Sequence, residues 1–220
     1  MYFASGFESG TLLTSDSPPG DWDSMVVSPG CSLSVERDAA LHGEYGLKSL
    51  CNGVESGSAY AEKSFQALTS CYARFELGLG GWAPWGVDTI AELKGPTGSI
   101  VTITGTTFEE YLSIVVSTFT DTGSSVSILL PPLAPGTVVL QVYWKASSAP
   151  GMNNGELRVW VFDALIGQKP SLNNDLLRVD GVRVGYHSSA EAEGPMLFDG
   201  VAVSDEFVPA ERHCLPLRLR

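Results

Sequence analysis

The chain has 220 residues, of which 44% are hydrophobic and only 17% are charged, and its formal net charge is −12. This length is sufficient for one large β domain with a proper core. The acidic balance excludes nucleic acid as a partner, because neutralising phosphates requires a basic face. No stretch approaches the roughly 20 apolar residues of a membrane span, so we expect no membrane insertion.

The N-terminal segment MYFASGFESG has neither a basic region nor an apolar run of the kind that secretory signals carry. The pattern therefore predicts no signal peptide in this sequence. Two explanations stay open: a signal has been removed, or the protein leaves its host cell by another route, such as assembly into a virus particle. In either case we expect it on a virion or at an extracellular surface.

Alternating apolar and polar residues, typical of half-buried antiparallel strands, recur along the chain, and helical periodicity is nearly absent. Turns rich in Gly and Pro separate the alternating segments. Gly181 and Gly200 interrupt two of these segments and predict β-bulges. The strands predicted in chain order are 2–8, 25–28, 46–52, 58–65, 71–77, 87–93, 99–104, 111–118, 125–130, 137–146, 156–162, 176–186 and 195–204.

The number of predicted strands is larger than in a small immunoglobulin-like sandwich. It predicts an all-β jelly roll, a sandwich of two large antiparallel sheets. No internal repeat or long linker divides the chain. We therefore expect a single domain over residues 1–210, followed by a C-terminal tail at 211–220.

Four cysteines are present, at positions 31, 51, 71 and 214, and none has the spacing of a zinc site. Buried thiols are one interpretation. The other is a disulfide between Cys31 and Cys51, which lie opposite each other if residues 31–37 and 46–52 form a hairpin. Both interpretations stay open on the sequence.

Three motifs carry a resemblance to a known superfamily. They are GFESG at 6–10 with Trp22 shortly after, ALHGEYGLKS at 40–49, and FDGVAVSDEF at 198–207. In this order, and with the strand pair VVLQVYWKA and GELRVWVFDALIG between them, the chain resembles the concanavalin A-like lectin/glucanase superfamily in the laminin-G-like sense. The resemblance covers roughly residues 3–207 and implies the jelly-roll fold.

Members of this superfamily include carbohydrate-binding modules, polysaccharide lyases, glucanases and virion proteins of tailed bacteriophages. The phage members commonly begin with Met a few residues ahead of a GFE or GFD motif, as this chain does. This start favours the phage group.

Each class of enzyme in the superfamily needs a recognisable catalytic set. The sequence contains neither of the sets expected for its glucanases and lyases. The ExDxxE motif of the glucanases does not occur, and no histidine lies in the QxH motif of the lyases. An enzyme would have to use a cryptic set such as Tyr143, Lys145 and His187. The sequence therefore predicts a protein that is not an enzyme.

The resemblance also implies a structural Ca²⁺ that ties the first and last strands together. The matching ligands are Glu8, backbone carbonyls near His42 and Gly43, and Asp199, because hard cations take oxygen ligands. The alternative is that Glu8 and Asp199 are turn carboxylates that accept backbone N–H bonds.

Exposed aromatic and polar residues are the candidates for contact with a glycan or a partner protein. Trp82 and Trp85 fall in the loop GGWAPWG, and they either stack on a sugar or cap the edge of the sandwich. Tyr143 and Gln141 share one face of their strand, which is either a sugar-binding patch or an ordinary polar face.

Three functions compete on this evidence. The first is a non-enzymatic structural or adhesion module on a virion or other particle, such as a phage decoration or tail-type protein, forming oligomers or binding other virion proteins, with glycan-binding capacity. The second is a stand-alone lectin or carbohydrate-binding module. The third is a polysaccharide lyase or hydrolase.

Overall fold

Our computed structural model describes residues 1–12, 22–51, 57–79, 81, 83–84, 87–108, 111–188 and 192–209. These residues contain seventeen β-strands and one 3₁₀ turn at Arg37–Ala39. In chain order the strands are β1 Phe3–Ser5, β2 Ser24–Val27, β3 Cys31–Glu36, β4 Gly46–Cys51, β5 Ala59–Leu68, β6 Ser70–Gly78, β7 Ala83–Pro84, β8 Asp88–Gly95, β9 Gly98–Phe108, β10 Tyr111–Phe119, β11 Ser125–Leu129, β12 Thr137–Lys145, β13 Gly155–Val161, β14 Ala164–Leu172, β15 Val179–Ser188, β16 Ala192–Glu193 and β17 Met196–Ser204.

The strands form two large antiparallel sheets and one small ribbon. Sheet A has the order β14-β13-β12-β6-β17-β4-β3, and β1 also pairs with β17. Sheet B has the order β11-β10-β9-β8-β15-β5-β2, and β7 pairs with β16 in the ribbon. Each sheet combines hairpins of consecutive strands with pairs that are distant in sequence, such as β6 with β17 and β8 with β15, as in a jelly roll. The predicted fold class, an all-β jelly-roll sandwich, is confirmed.

The core lies between the two sheets and follows the predicted alternation. On β6, Cys71, Ala73, Phe75 and Leu77 are all at most 1% exposed, while the side chains between them face away from the core. The same pattern recurs on β12, β13 and β10, where every second side chain is buried. Burying this apolar surface is the main term that stabilises the sandwich.

The β3–β4 hairpin carries a cross-link. Cys31 and Cys51 are register partners at its open end and are joined by a disulfide, with their Cα atoms 4.2 Å apart. Cys71 is a free, buried thiol, and burial raises its pKa to about 12. Of the two interpretations that the sequence left open for Cys31 and Cys51, the structure therefore has the disulfide.

Both predicted bulges are present, whereas β14 and the two short strands β7 and β16 were not predicted. The pairing register shifts at Gly181 and between Asp199 and Ala202, around Gly200, so both predicted bulges occur. Strand β14 was not predicted, because Gly167 and Pro170 mask its pattern. It lies at the edge of sheet A, where proline is tolerated.

Among the residues that the structure describes, no helix is long and apolar enough to cross a membrane. Trp82, Trp85 and the predicted tail at 211–220 lie outside the described residues.

Candidate functional site

A row of polar side chains crosses sheet B on the face that points away from the core. The row follows the pairing register from β5 through β15, β8, β9 and β10 to β11. Side chains directly opposite one another on neighbouring strands come into contact. The members of the row, in this order, are Glu62, Arg183, Glu92, Thr102, Ser117 and Ser127.

Arg183 is the centre of the row and forms ion pairs on both sides. Its Nε lies 2.7 Å from Glu62 Oε2, and its Nη1 lies 3.3 Å from Glu92 Oε2. Lys94 Nζ donates to the other oxygen of Glu62, and Ser99 Oγ donates to Glu92 Oε1 at 2.6 Å. Two carboxylates thus face two cations, and the cluster carries no net charge.

Hydrogen bonds from these cations control the ionisation of Glu62. Burial raises the pKa of its carboxyl, but hydrogen bonds from Lys94 and Arg183 lower it by more, so the pKa lies below its ordinary value. The side chains of Arg183 and Lys94 are 19% and 20% exposed, so the cluster is reachable from solvent.

His187 joins the cluster because the strand bends at Gly185. Four residues of extended strand span about 13 Å, too far for Arg183 and His187 to touch. Gly185 has a φ of 115°, and the pairing of β15 with β8 shifts register between Val184 and Ser188. The bend brings Arg183 Nη1 within 2.6 Å of His187 Nε2.

The contact with Arg183 determines what His187 can do. A guanidinium can only donate, so His187 Nε2 accepts this hydrogen bond and its lone pair is occupied. Burial lowers the pKa of His187, and the positive charge of Arg183 lowers it further against the opposing effect of Glu92. We therefore expect a neutral imidazole at neutral pH.

Tyr60 supplies an aromatic surface beside these charges. Its ring centroid lies 5.1 Å from that of His187, and the Arg183 guanidinium carbon lies 4.9 Å from the Tyr60 ring centroid. Tyr60 is half-buried, and it lies opposite Gly185, which has no side chain to cover it. The cluster of Tyr60, Glu62, Glu92, Lys94, Arg183 and His187 is called the Arg183 cluster below.

The predicted glycan-binding residues of β12 lie on the other sheet. Tyr143 is half-buried on the outer face of sheet A, with its ring centroid 4.6 Å from that of Tyr72. Gln141 is 3% exposed, and its Oε1 accepts a hydrogen bond from Val208 N at 3.2 Å. Phe207 packs edge-on against Tyr72, so the segment after β17 covers much of this face.

The three residues predicted as calcium ligands come together at one end of sheet A. Both oxygens of Glu8 accept the N–H of Glu44, at 3.3 and 3.0 Å. Gly43 has a φ of 66°, which favours glycine, and a Cβ there would lie 2.0 Å from Glu8 Oε1, so a side chain would have to displace this carboxylate. Asp199 Oδ2 accepts the N–H groups of Leu41 and His42 at 3.1 and 2.9 Å.

These carboxylates retain acceptor capacity, because each carboxylate oxygen can accept more than one bond. Asp199 Oδ1 accepts only the N–H of Gly200 among the described contacts, at 2.8 Å. Within the described part of the chain, no three His, Cys, Asp or Glu side chains are grouped to hold a metal ion. A Ca²⁺ here would have to complete its shell with backbone carbonyls and water, and its binding stays a prediction.

The cryptic catalytic set considered from the sequence cannot form. Tyr143 and Lys145 lie on β12 of sheet A, whereas His187 lies on β15 of sheet B. The core between the two sheets separates them, so the grouping of these three residues was wrong.

Most of the Arg183 cluster was not predicted from the sequence. Its charged members are single residues in strands that have an ordinary alternating pattern. The available signal was the presence of opposite charges on three separate strands: Glu62 on β5, Glu92 and Lys94 on β8, and Arg183 on β15. Only the pairing of β5, β15 and β8 brings these charges together.

The sequence matches no protein-family model. No curated protein matches it either.

Several solved structures share the fold. An endo-β-1,4-glucuronan lyase from the fungus Trichoderma reesei has a TM-score of 0.61 at 16% identity, covering 84% of this chain and 92% of its own. The cellulose-induced protein Cip1 has a TM-score of 0.63 at 14% identity, covering 94% and 99%. The binding domain of Paraclostridial Mosquitocidal Protein 1 has a TM-score of 0.56 at 10% identity, covering 92% and 50%. At these identities the likeness is one of fold.

Proposed function

We propose that this chain is a non-catalytic glycan-binding module, and that the Arg183 cluster on the outer face of sheet B is its binding site. The observation that carries the proposal is the half-buried Tyr60 ring beside charge-paired Glu62, Arg183 and Glu92. Sugars present apolar C–H faces, which stack on aromatic rings, and hydroxyls, which bond planar polar groups. The cluster offers both within one patch.

The solved structures with this fold support a role in glycan recognition. Their names describe a polysaccharide lyase in one case and a toxin binding domain in another. The placement of the site on this chain rests on its own residues.

Two features of the cluster favour binding over catalysis. Lyases that act on acidic sugars need a free cation to neutralise the sugar carboxylate, but Arg183 is held between Glu62 and Glu92. A general base needs an available lone pair, but His187 Nε2 accepts a bond from Arg183. We therefore expect no unsaturated products, measured by ultraviolet absorbance, from acidic polysaccharides.

The test is a glycan array followed by calorimetry with the best ligand. Tyr60→Ala should weaken binding about tenfold, the effect of losing one good stacking contact. Tyr143→Ala is the matched control, because it removes a half-buried tyrosine ring from the other sheet. Binding that is lost in Tyr143→Ala and kept in Tyr60→Ala would place the site on sheet A. An array without any ligand would refute the proposal.

A position on a virion or other particle surface, with self-association or contacts to other virion proteins, stays a prediction from the sequence. A glycan-binding module suits that place, because adhesion to a glycan-coated host cell would use it. Co-purification of the chain with particles from its natural source, together with its mass by light scattering, tests this role.

A further inference from the structure

A cavity of about 420 Å³ lies at one end of β9 and β10, beside the Arg183 cluster. It is called the Phe119 cavity below. Its volume is in the range of small-ligand sites, which are roughly 300–1,000 Å³. Its lining includes Ile100, Phe119, Leu177, Thr120, Asp121 and Ser99.

Phe119, which lines this cavity, lies on the same face of sheet B as the Arg183 cluster. On β10 the side chains of Ile114, Val116 and Thr118 point into the core, so Phe119 points outward with Ser117. Ser117 belongs to the polar row that contains Arg183. The two sites also share a side chain contact, because Ser99 lines the cavity and its Oγ donates to Glu92 at 2.6 Å.

The lining combines an apolar floor with a polar rim. Phe119 supplies an aromatic ring and Leu177 a partly buried aliphatic side chain, while Ile100 is only 2% exposed. Asp121 supplies a carboxylate that is fixed in place, because its two oxygens accept the N–H groups of Asp175 and Leu176 at 3.1 Å each. Each oxygen can accept a further bond. An aromatic floor with a fixed acceptor at its rim matches a sugar ring, with its C–H face and its hydroxyl donors.

The charges indicate which sugars fit. Asp121 is the charged residue in the lining of the cavity, and it is negative. Among the cations near the cavity, Arg178 Nη1 donates to the backbone oxygens of Asp175 and Leu177 at 2.7 and 2.6 Å, and Lys94 and Arg183 are paired with Glu62 and Glu92. The chain as a whole carries a net charge of −12, which disfavours the approach of a polyanion. A sugar with a carboxylate would meet the negative charge of Asp121 at this rim and the negative field of the chain.

We propose that the Phe119 cavity is a second sugar subsite, and that the ligand is an extended, uncharged glycan that crosses sheet B from Tyr60 to Phe119. The inference rests on the proposed function and names its ligand class. Tyr60 on β5 and Phe119 on β10 are four strand spacings apart, about 19 Å across the sheet at the usual separation of strands, and the register places them on opposite sides of the polar row, so they are farther apart than this. One sugar ring cannot reach both, so the ligand has several units.

Calorimetry with two oligosaccharide series of graded length tests the inference. One series contains neutral gluco-, manno- and xylo-oligosaccharides, and the other contains oligoglucuronans of matching length. The affinity for the best neutral series should rise with length until the glycan spans both sites. Acidic oligosaccharides that bind more tightly than neutral ones of equal length would overturn the inference.

Variants of the cavity make the test specific. Phe119→Leu keeps an apolar side chain but removes the ring, and it should weaken long neutral glycans about tenfold while leaving the shortest ones unchanged. Phe162→Leu is the matched control, because Phe162 is an exposed phenylalanine in the turn between β13 and β14. Equal affinity of Phe119→Leu and the unmodified chain for long glycans would refute the second subsite. If Tyr60→Ala weakens glycan binding and Phe119→Leu does not, the second subsite is refuted while the proposed function stands.

Discussion

Arg183 Nε and Glu62 Oε2 lie 2.7 Å apart across the register of β15 and β5, and the two residues are 121 positions apart in the chain. The contact exists only when both strands have found their places in sheet B. It therefore couples the candidate site to the correct assembly of the sheet.

The first prediction concerns the stability that this pairing supplies. Arg183→Leu should lower the free energy of unfolding by about 3 kcal/mol, the lower end for breaking a buried ion pair, because it leaves Glu92 charged at 4% side-chain exposure. Arg158→Leu is the matched control: Arg158 pairs with Glu156 but is 39% exposed, so we expect a loss of at most about 1 kcal/mol. Urea denaturation measures the free energy of unfolding of both variants. Equal losses would show that the ion pairs of Arg183 stabilise the fold no more than the exposed pair of Arg158.

The second prediction concerns pH. The pKa of His187 is lowered in the folded chain by burial and by Arg183, whereas an unfolded histidine titrates near 6.5. Between the two pKa values the unfolded chain binds more protons than the folded chain, so the free energy of unfolding rises with pH in this window. The contribution of His187 to stability is fully present above about pH 6.5. As the pH falls below 6.5, a protonated His187 would face Arg183, and Glu92 compensates only in part.

Urea denaturation at a series of pH values checks this sign. His187→Gln should remove the part of the slope that lies just below pH 6.5. The further loss of stability that begins near the ordinary glutamate value of 4.5 should remain in this variant, because it comes from the lowered pKa of Glu62. A slope below pH 6.5 that is the same in both proteins would show that His187 is not its source.

The sequence predicts the fold well because alternation reports burial directly. Phe75 and Leu77 on β6, or Val142 and Trp144 on β12, have to face the core at every second position, and the structure buries all four. The edge strand β14 escaped prediction for the opposite reason. Its residues are largely exposed, so burial imposes no period on it, and Pro170 reads as a turn.

The candidate site was less predictable, because it depends on which strands pair. Arg183, Glu62 and Glu92 come from three strands that are not consecutive, and nothing in each local segment singles them out. The Arg183–His187 contact further depends on the bend at Gly185. By contrast, the Cys31–Cys51 pairing lies within one hairpin, where spacing alone brings the partners opposite each other.

The third prediction concerns this disulfide. Replacing both cysteines by serine should lower the free energy of unfolding by about 3 kcal/mol, because the cross-link closes a loop of 20 residues in the unfolded chain. The comparison is made in a Cys214→Ser background, so that free-thiol labelling reports only Cys71. Cys71 should stay unlabelled in the folded protein, because it is buried and its pKa is raised to about 12. Labelling of Cys71 at the rate of a free thiol would contradict its burial.

The fourth prediction concerns the meeting point of Glu8, Gly43 and Asp199. Asp199 is 2% exposed, and burial raises the pKa of its carboxyl although backbone N–H groups oppose the rise. A bound Ca²⁺ would offset the cost of burying this charge and would tie β17 to the N-terminal segment. At a hundredfold excess over Kd it should raise the melting temperature by about 5–10 °C, measured by thermal unfolding in Ca²⁺ and in EDTA.

Variants separate calcium binding from the backbone hydrogen bonds. Glu8→Gln should abolish the response to Ca²⁺ while costing little stability in EDTA, because Glu8 is exposed and an amide oxygen still accepts the N–H of Glu44. Glu44→Gln is the matched control and should keep the full response, since its exposed side chain contacts only Arg37 among the described residues. Identical melting temperatures in Ca²⁺ and EDTA for the unmodified chain would contradict calcium binding. Glu8 and Asp199 would then be turn carboxylates that only accept backbone N–H bonds, which is the alternative that the sequence left open.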